Sequence, residues 1–430
     1  MWMAAVDFKK AFDSVTHRSI WRALAAQGMP LGYVQLIDKL YKKQIGTVRT
    51  EKLSKGFSIE KGVKQGDPLS SLLFNCVSEY VLRPLKQRWN SRGHGIKVKP
   101  GEENLTNLRF ADDILLISSS LESMTQMLTD LSIAAADAGL SLHPEKTKVL
   151  RNRWIGSRKV PNHVTANGME IEVLGVDGNT KYLGRKLTFT DPHQTEVESR
   201  IASAWKKFHV QKQELMNRDF SLNDRLRLFH GTVTPTVLYG CEAWTMTADL
   251  EQRLRVAQRQ MLRMMLQMPR RRIQTTSDTD RSEGEEQQGQ IDGIDISTDE
   301  SLEPWQEWIR RSTREVEHRM GRLKIEDWVT LQRRRKWRWA NKVAISTQEA
   351  WGPLVLKWDP SPHLGVFQNR RIGRPKLRWA DDIKRYLYWT LHTTTPAESI
   401  NPRFDNTWLE YARSTSHWKQ LEDGYANKSV

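Results

Sequence analysis

The sequence predicts an α+β protein whose second half is mostly helical, and three observations lead to this fold class. Over residues 1–190, short apolar runs that end in turn residues alternate with helix-periodic segments. Over residues 191–275, the apolar positions keep the three- and four-residue spacing of amphipathic helices. Residues 276–304 are acidic and poor in aromatics, which is typical of a disordered linker. We therefore predict four regions, the last of them a basic, Trp-rich and mostly helical segment over residues 305–430.

The charge of the chain indicates a polyanionic partner. It has 67 Lys and Arg against 51 Asp and Glu, a net charge of +16 in 430 residues. Residues 277–303 carry −9 and residues 305–430 carry +10, so two basic blocks flank an acidic tether. The tether is either a spacer or a nucleic-acid mimic that shields a basic groove. Two cysteines exclude a disulfide framework, and no apolar run reaches 18 residues. We expect an intracellular protein with neither a signal peptide nor a membrane span.

The first elements alternate between strand and helix patterns. Residues 4–8 form a short apolar run that predicts a strand ending in an acid. Helical spacing predicts helices over 20–28 and 34–41, and the alternation of residues 57–63 predicts a strand. Asp67 suits an N-cap and the proline after it suits the first helical position. The apolar face of the helix that begins there is predicted to hold Leu69, Leu72, Leu73, Cys76 and Tyr80.

The next segments predict hairpins and helices. Residues 108–117 form two short apolar strands around an acidic turn, and residues 121–135 step as an amphipathic helix that stops at Gly139. Asp177 and Gly178 lie between apolar runs and signal a second hairpin. Beyond residue 190, helical spacing predicts helices over 197–208, 226–237 and 250–261.

Three carboxylates form the clearest chemical pattern. Asp7 ends the first apolar strand, and Asp112 and Asp113 lie between the two strands of the acidic hairpin. Phosphoryl transfer by two metal ions needs carboxylates that converge from separate elements. A similar hexapeptide around Asp381 and Asp382 precedes helical spacing, where acids are ordinary caps. We therefore predict metal binding at the first set and a helix start at the second.

Five motifs occur in an order that resembles a known family. They are, in chain order, VDFKKAFD, GVKQGDPLSSLLFN, RFADDILLI, AGLSLHPEKTKVL and KYLGRKLT. Residues 1–190 thus resemble the palm of reverse transcriptases, the RNA-directed DNA polymerases, of non-LTR (LINE-type) retrotransposons. The resemblance implies a ferredoxin-like antiparallel sheet with helices, then a helical thumb over 191–275. Members of the family carry fingers before the palm, so we expect a copy truncated at its N-terminus, or an incomplete gene model.

The resemblance also implies a catalytic centre. Asp7, Asp112 and Asp113 would bind Mg²⁺ or Mn²⁺, with the Phe8 carbonyl as an extra ligand. Lys146 would be the cation, and the general acid, near the departing pyrophosphate. Lys148 competes with Lys146 for this role, and a solvated lysine is the alternative.

Further motif residues would contact the nucleotide and the primer. Phe12 would be an aromatic gate against a ribose 2′-OH, with core packing as the alternative. Gln65 and Gly66 would lie against the incoming nucleotide and the template, with a helix-initiating turn as the alternative. The primer grip would be the turn formed by Tyr182, Leu183 and Gly184.

The C-terminal block holds eleven of the 17 tryptophans and one strongly basic run. Bases interleaved with an indole are typical of RNA contacts, and the run consists of Arg333, Arg334, Arg335, Lys336, Trp337 and Arg338. The alternative is an amphipathic helix with its arginines outside and one apolar face, formed by Trp328, Leu331, Trp339 and Val343. A second basic cluster consists of Arg370, Arg371, Arg374, Lys376 and Arg378. The block resembles the C-terminal region of the same polyproteins, whose members commonly carry Gly-His in place of Asn341 and Lys342.

The leading hypothesis is an RNA-directed DNA polymerase region of a non-LTR retroelement. It would transfer dNTPs to a DNA primer on an RNA template, unless the lack of fingers leaves it inactive. A non-catalytic RNA-binding remnant and a group II intron maturase-like protein are the alternatives. Mg²⁺-dependent nucleotide incorporation separates a polymerase from a remnant, whereas RNA binding does not.

Overall fold

The computed structural model of the protein describes residues 1–98, 101–152, 160–272, 302–347, 350–357, 377–391 and 408–428. Most of the predicted linker, and four of the five residues of the second basic cluster, lie outside these ranges. The chain divides into two compact units, one of Met1–Glu196 with Ser346–Lys376 and one of Val197–Ile345 with Leu377–Val430. None of the helices within the described ranges is long and apolar enough to cross a membrane.

A six-stranded mixed sheet organises the first unit. Its strands are β1 (Trp2–Val6), β4 (Asn107–Phe110), β5 (Asp113–Ser118), β6 (Lys148–Arg151), β7 (His163–Ala166) and β8 (Met169–Val173). They lie in the order β4-β5-β1-β6-β8-β7, and β6 and β8 form its parallel pair while the other neighbours are antiparallel. Two short ribbons pair β2 (Ile45–Gly46) with β3 (Phe57–Ser58) and β9 (Thr180–Tyr182) with β10 (Arg185–Leu187).

Helices make up most of the remaining described structure, so the predicted α+β class is confirmed. They are α1 (Ala11–Ser14), α2 (His17–Ala26), α3 (Leu31–Lys42), α4 (Pro68–Ser91), α5 (Leu121–Asp137), α6 (Pro192–Val210), α7 (Lys212–Met216), α8 (Leu222–Val237), α9 (Ala248–Leu266), α10 (Trp305–Arg322), α11 (Trp328–Ile345), α12 (Trp351–Lys357), α13 (Asp381–Leu391), α14 (Trp408–Arg413), α15 (Thr415–Gln420) and α16 (Glu422–Ala426). A 3₁₀ turn lies at Cys241–Ala243.

Helix α4 begins where its sequence predicts but buries a different face. Asp67 is the N-cap, and its carboxylate accepts the backbone N–H of Leu69 at 3.3 Å. The core contains Leu73, Phe74 and Val77, whereas Leu72 is 63% exposed. The predicted face was therefore wrong in part. Apolar residues occur on two sides of this helix, so the spacing alone does not choose between them.

Two predicted β elements differ in the structure. Asp177 and Gly178 do not close a hairpin, because β8 pairs with β6 and β7 rather than with β9. The chain reverses instead at Asn167-Gly168 and at Leu183-Gly184, where all four residues have positive φ. The strand predicted over 57–63 is limited to β3, because the residues after it pair with the loop that follows α1.

The second unit has its own core of helices α6, α8, α9 and α11. Its largest fully buried side chains include Trp244, Trp328, Phe229 and Phe208. Trp328 of α11 stacks on Phe229 of α8 with ring centroids 5.9 Å apart. Its indole N–H donates to the Thr234 hydroxyl at 3.1 Å, so burial of the ring leaves no unpaired polar group.

Candidate active site

Asp7 lies one residue beyond β1, in the middle of the first sheet. Strand β1 pairs with β5 so that Val6 faces Ile114. Continuing this antiparallel register by one residue brings Asp7 opposite Asp113, the first residue of β5. The two carboxylates therefore come from neighbouring strands, as the sequence interpretation requires.

Asp112 belongs to the tight turn between β4 and β5. Phe110 pairs with Asp113, which leaves Ala111 and Asp112 as a two-residue connection. Ala111 has φ +53°, a left-handed conformation that is costly for a residue with a Cβ atom. Arg109 anchors the hairpin to α4, because its guanidinium donates to Glu79 at 2.6 Å. The turn thus presents Asp112 and Asp113 side by side at the sheet.

The acidic residues of this site repel one another. Burial, then the charges of Asp112 and Asp7, raise the pKa of Asp113. Burial, and secondarily the charge of Asp113, raises the pKa of Tyr182 to about 12. Both raised pKa values indicate that negative charge is concentrated in a partly desolvated site. A cation bound at such a site would be stabilised.

One oxygen of Asp7 lacks a hydrogen-bond partner. Its Oδ2 atom is buried and accepts no hydrogen bond from the part of the chain that the structure describes. The Nζ atom of Lys146 lies 3.5 Å away, within ion-pair distance, and the lysine side chain is 64% exposed. Lys148, the competing candidate, instead pairs with Glu172 at 2.5 Å. Lys146 is therefore the cation that the structure brings to the carboxylates.

The loop before β6 holds the backbone of Asp7. The Asp7 carbonyl accepts the N–H of His143 at 2.8 Å, and the Asp7 N–H donates to the Thr147 hydroxyl at 3.3 Å. Phe8 forms a backbone bridge with Leu142 and is buried. Thr147 is fully buried, and sequence reasoning missed it, because nothing in a single hydroxyl residue marks a contact with a residue 140 positions away.

The carboxylates are not a preassembled metal cage. In the described ranges, no three Asp, Glu, His or Cys side chains are close enough to hold a metal ion as they stand. The Asp7 oxygen that accepts no hydrogen bond and the mutual repulsion of the acids nevertheless fit a divalent cation, which prefers carboxylate oxygens. Asp7, Asp112 and Asp113 are the residues that could bind it.

Phe12 and the Gln65-Gly66 pair have ordinary structural contacts as well as exposed surface. The Phe12 ring is partly buried and stacks on Phe74, with centroids 4.8 Å apart. Gln65 and Gly66 are exposed and lie just before the N-cap of α4, and Gly66 has φ +87°. No atom lies within 4 Å of a Cβ added at Gly66, so its backbone conformation is what favours glycine there.

The turn predicted as a primer grip is a real β-turn. Tyr182 pairs with Arg185, and Leu183 and Gly184 connect them with φ values of +48° and +70°. Positive φ at both central positions is typical of the type I′ turns that close two-residue hairpins. The sequence did not indicate that Tyr182 lies close enough to Asp113 to feel its charge.

The basic run of the C-terminal block lies on α11, and half of it is buried. Arg333 is 4% exposed, Lys336 is 1% exposed and Trp337 is fully buried. Arg333 donates both to Glu251, at 2.8–3.1 Å, and to the carbonyls of Ala426 and Lys428. These three side chains are not accessible to a nucleic acid, which corrects the interpretation of the whole run as an RNA contact.

The other bases of the run are engaged too. Arg334 pairs with Glu326 and Asp423, and Arg338 pairs with Glu422. Arg335 donates to the Leu238 carbonyl at 2.9 Å. The helical alternative is confirmed, but its prediction that the arginines lie outside was wrong for Arg333. Composition does not reveal which arginines meet a buried carboxylate.

The second acidic pair begins a helix, as predicted. Asp381 and Asp382 are the first residues of α13, and the Asp381 carboxylate accepts the N–H of Arg378 at 2.8 Å. Asp382 accepts from Lys336 at 2.8 Å and from the Tyr425 hydroxyl at 2.6 Å. The repeat of the hexapeptide is therefore structural in its second copy.

Comparison with known proteins connects this site to one family. The family model "Reverse transcriptase (RNA-dependent DNA polymerase)" matches residues 1–187. A transposon-derived protein of Caenorhabditis elegans is 28% identical over 320 residues, which cover 73% of this chain and 94% of that protein. Pol polyproteins of R2 retrotransposable elements are 34% identical in Nasonia vitripennis and 30% identical in Popillia japonica, over 46% and 55% of this chain.

Those alignments cover only 19% and 39% of the two R2 polyproteins. Among solved structures, two of apo telomerase from Candida tropicalis overlap this chain with TM-scores of 0.29 and 0.31, at 18% and 13% identity. They cover 40% and 62% of this chain, and 34% and 41% of theirs. The family therefore rests on the sequence matches, which agree with the five motifs and their order. Residues 1–187 of this chain match the reverse transcriptase family and are similar to the corresponding region of R2 retrotransposon Pol polyproteins.

Proposed function

We propose that the first unit catalyses RNA-directed DNA synthesis, the transfer of a nucleotide from a dNTP to a primer 3′-OH on an RNA template. The observation that carries the proposal is the convergence of Asp7, just after β1, with Asp112 and Asp113 of the β4–β5 hairpin, where one buried oxygen of Asp7 accepts no hydrogen bond from the described residues. Such a set matches what two-metal nucleotidyl transfer needs. The family match over residues 1–187 supports the same reaction.

The three aspartates would hold Mg²⁺ or Mn²⁺, with the Phe8 carbonyl as a further oxygen. The bound metal would lower the pKa of the primer hydroxyl and neutralise charge on the phosphates. The protein's part is to fix the carboxylates: the β-sheet register holds Asp113 opposite Asp7, and the loop of His143–Thr147 holds the Asp7 backbone. A position fixed in advance limits the reorganisation that the reaction requires.

Lys146 would supply a proton or a positive charge to the departing pyrophosphate. Its ammonium lies 3.5 Å from Asp7 and is largely exposed, so it can reach a ligand bound at the carboxylates. Lys148 is paired with Glu172 and is the weaker candidate. Phosphate groups bring several negative charges, and a nearby ammonium stabilises the charge that builds up in the transition state.

The remaining motif residues would position the substrates. Phe12, held by its stack on Phe74, would exclude a ribose 2′-OH, and the exposed Gln65-Gly66 backbone would approach the nucleotide and the template. The turn at Leu183-Gly184 would contact the primer strand. Tyr182 feels the charge of Asp113, so this turn lies near the carboxylates.

The test is Mg²⁺-dependent primer extension on an RNA template with the wild-type chain and Asp112→Asn. We expect the variant to lose at least about 100-fold in rate, because a Lewis-acid metal contributes several kcal/mol to such a transition state. Asp249→Asn is the matched control, since it removes one exposed carboxylate in the second unit and should leave the rate unchanged. Manganese binding followed by electron paramagnetic resonance should weaken in the first variant alone.

Extension that is equal in the wild type and in Asp112→Asn would refute the assignment of the carboxylates. A wild-type chain that binds RNA but incorporates no nucleotide would replace the polymerase with a non-catalytic RNA-binding remnant.

A further inference from the structure

Helix α10 carries a line of basic side chains on its solvent face. Arg310, Arg314, His318 and Arg322 are all exposed and follow one another at four-residue steps. On the opposite side, Ser312, Val316 and Met320 are buried in the second unit. Each four-residue step turns about 40° around the helix axis, so the four residues form an inclined row along the solvent side, which we call the α10 basic stripe.

The arginines of the α10 basic stripe do not take part in holding the fold. Within the described ranges, no ion pair or hydrogen bond involves Arg310 or Arg314, and Arg322 acts on a carboxylate only through its charge, which helps to lower the pKa of Glu315. The nearby acids are engaged elsewhere, because Glu315 pairs with Arg319 at 2.6 Å and Glu317 pairs with Arg259 of α9 at 2.8 Å. Two of the three carboxylates of the helix are thus paired with arginines outside the stripe, and the stripe itself stays positively charged.

This arrangement has an electrostatic cost within the protein. Like charges at i and i+4 destabilise a helix, and Arg310 and Arg314 stand at this spacing. Packing does not repay the cost, since both side chains are exposed. A polyanion laid along the stripe would remove the repulsion and would release counterions from its own phosphates.

We propose that the α10 basic stripe binds the phosphate backbone of a nucleic acid. From Arg310 to Arg322 the helix rises about 18 Å, at about 1.5 Å per residue. One strand of a duplex places a phosphate about every 3.4 Å along its axis, so the three guanidiniums face a run of several phosphates. The proposal rests on the proposed function in one respect only, that the reaction brings a nucleic acid to this protein.

The chemistry of the stripe favours nucleic acid over a membrane surface. A helix that lies on a membrane needs an exposed apolar face beside its basic one. In α10 the apolar face is used in the core, where Val316 is 1% exposed and Met320 is 8% exposed. Trp305, at the start of the helix, is its exposed large apolar side chain, and the exposed acids are Glu307 and Glu317, of which Glu317 is paired with Arg259.

The experiment measures RNA binding by the full chain as a function of salt, with Arg310, Arg314 and Arg322 replaced together by Gln. If each arginine contacts one phosphate, the slope of log K against log salt should fall by about 2 for single-stranded RNA and by about 3 for a duplex. The matched control replaces Lys42, Arg227 and Arg253 by Gln. These bases are also exposed but are paired with acids on their own helices.

We expect the control to keep most of the wild-type slope, with both triple variants unfolding at wild-type urea concentrations. Equal losses of slope in the two variants would overturn the proposal, because net charge alone would then explain the binding. An unchanged slope in the stripe variant would overturn it too. The proposal would also fail if the stripe variant kept wild-type RNA binding and lost only its binding to vesicles of anionic lipid. Asp112→Asn should retain the full slope, so failure of the polymerase and failure of the stripe give different results.

Discussion

Helices α10 and α11 have similar compositions but use their charges in opposite ways. Both are 18 residues long and rich in Arg and Trp. On α11, Arg333 and Lys336 are buried against Glu251 and Asp382. On α10, by contrast, Arg310 and Arg314 of the stripe are exposed, and no ion pair among the described residues involves them.

The difference teaches that partners distant in sequence decide what a basic run does. The carboxylate of Glu251 comes from α9, 82 residues before Arg333, and that of Asp382 comes from α13, 46 residues after Lys336. Burying a guanidinium is costly unless good hydrogen bonds or a carboxylate compensate for the lost hydration. Helix α11, the more basic of the two helices, thus uses its bases to hold the fold.

The largest expected effect comes from removing the charge that α11 buries. Arg333→Leu would leave Glu251 buried without its main partner and would free the carbonyls of Ala426 and Lys428. Breaking one side of a buried ion pair costs about 3–5 kcal/mol. We expect a loss of this size in the free energy of unfolding of the second unit, measured by urea denaturation with tryptophan fluorescence.

Arg310→Leu is the matched control on α10, and it should change the free energy of unfolding by no more than about 0.5 kcal/mol. The double variant Arg333→Leu with Glu251→Leu should recover part of the loss, because it removes the stranded carboxylate. If Arg333→Leu costs no more than Arg310→Leu, the two helices do not differ in the way that the structure shows.

A second, smaller effect is the pH dependence of the free energy of unfolding that Lys428 causes. Burial lowers the pKa of Lys428 from 10.5 to about 8, and the groups that face it are Asp382, Arg333, Lys336 and Glu251. The unfolded chain keeps its Lys428 proton to higher pH, so between about pH 8 and 10 it binds more protons than the folded chain. The free energy of unfolding should therefore rise with pH there, by at most about 1.4 kcal/mol per unit.

The measurement is urea denaturation at pH 7.5, 8.5 and 9.5 for the wild type and Lys428→Met. The difference between the two proteins isolates Lys428, because Tyr425 and Cys241 contribute to both, and burial raises the pKa of each. The wild type should gain on the variant as pH rises. A constant difference would mean that Lys428 is solvated, and Arg314→Met should show such a constant difference.

The candidate catalytic centre was largely predictable because its signals are local. The strand before Asp7 and the turn around Asp112 and Asp113 are short patterns, and pairing of adjacent strands then brings the acids together. Thr147 could not be predicted in the same way, since its contact with Asp7 depends on where β6 joins the sheet.

The C-terminal block shows where local patterns stop being informative. The helix that begins at Asp381 was predictable from spacing, but the pairing of Asp382 with Lys336 was not. Trp337 and Trp418 stack with centroids 3.8 Å apart, and each indole N–H donates to the other residue's carbonyl. Such contacts arise from tertiary packing, and composition alone made the same residues resemble an RNA-binding surface.

The smallest expected effect is a change in the free energy of unfolding that should have opposite signs on α10 and α11. Arg314→Gln removes a like-charge neighbour of Arg310 on the surface of α10, so the free energy of unfolding should rise by about 0.2–0.5 kcal/mol at low salt. The same change on α11, Arg334→Gln, removes charge-assisted hydrogen bonds to Glu326 and Asp423 and should lower it by roughly 1–2 kcal/mol. In 1 M salt, where the screening length is about 3 Å, the gain on α10 should vanish while most of the loss on α11 persists. A loss at both positions would mean that Arg314 supports the fold, and α10 would then differ from α11 only in degree.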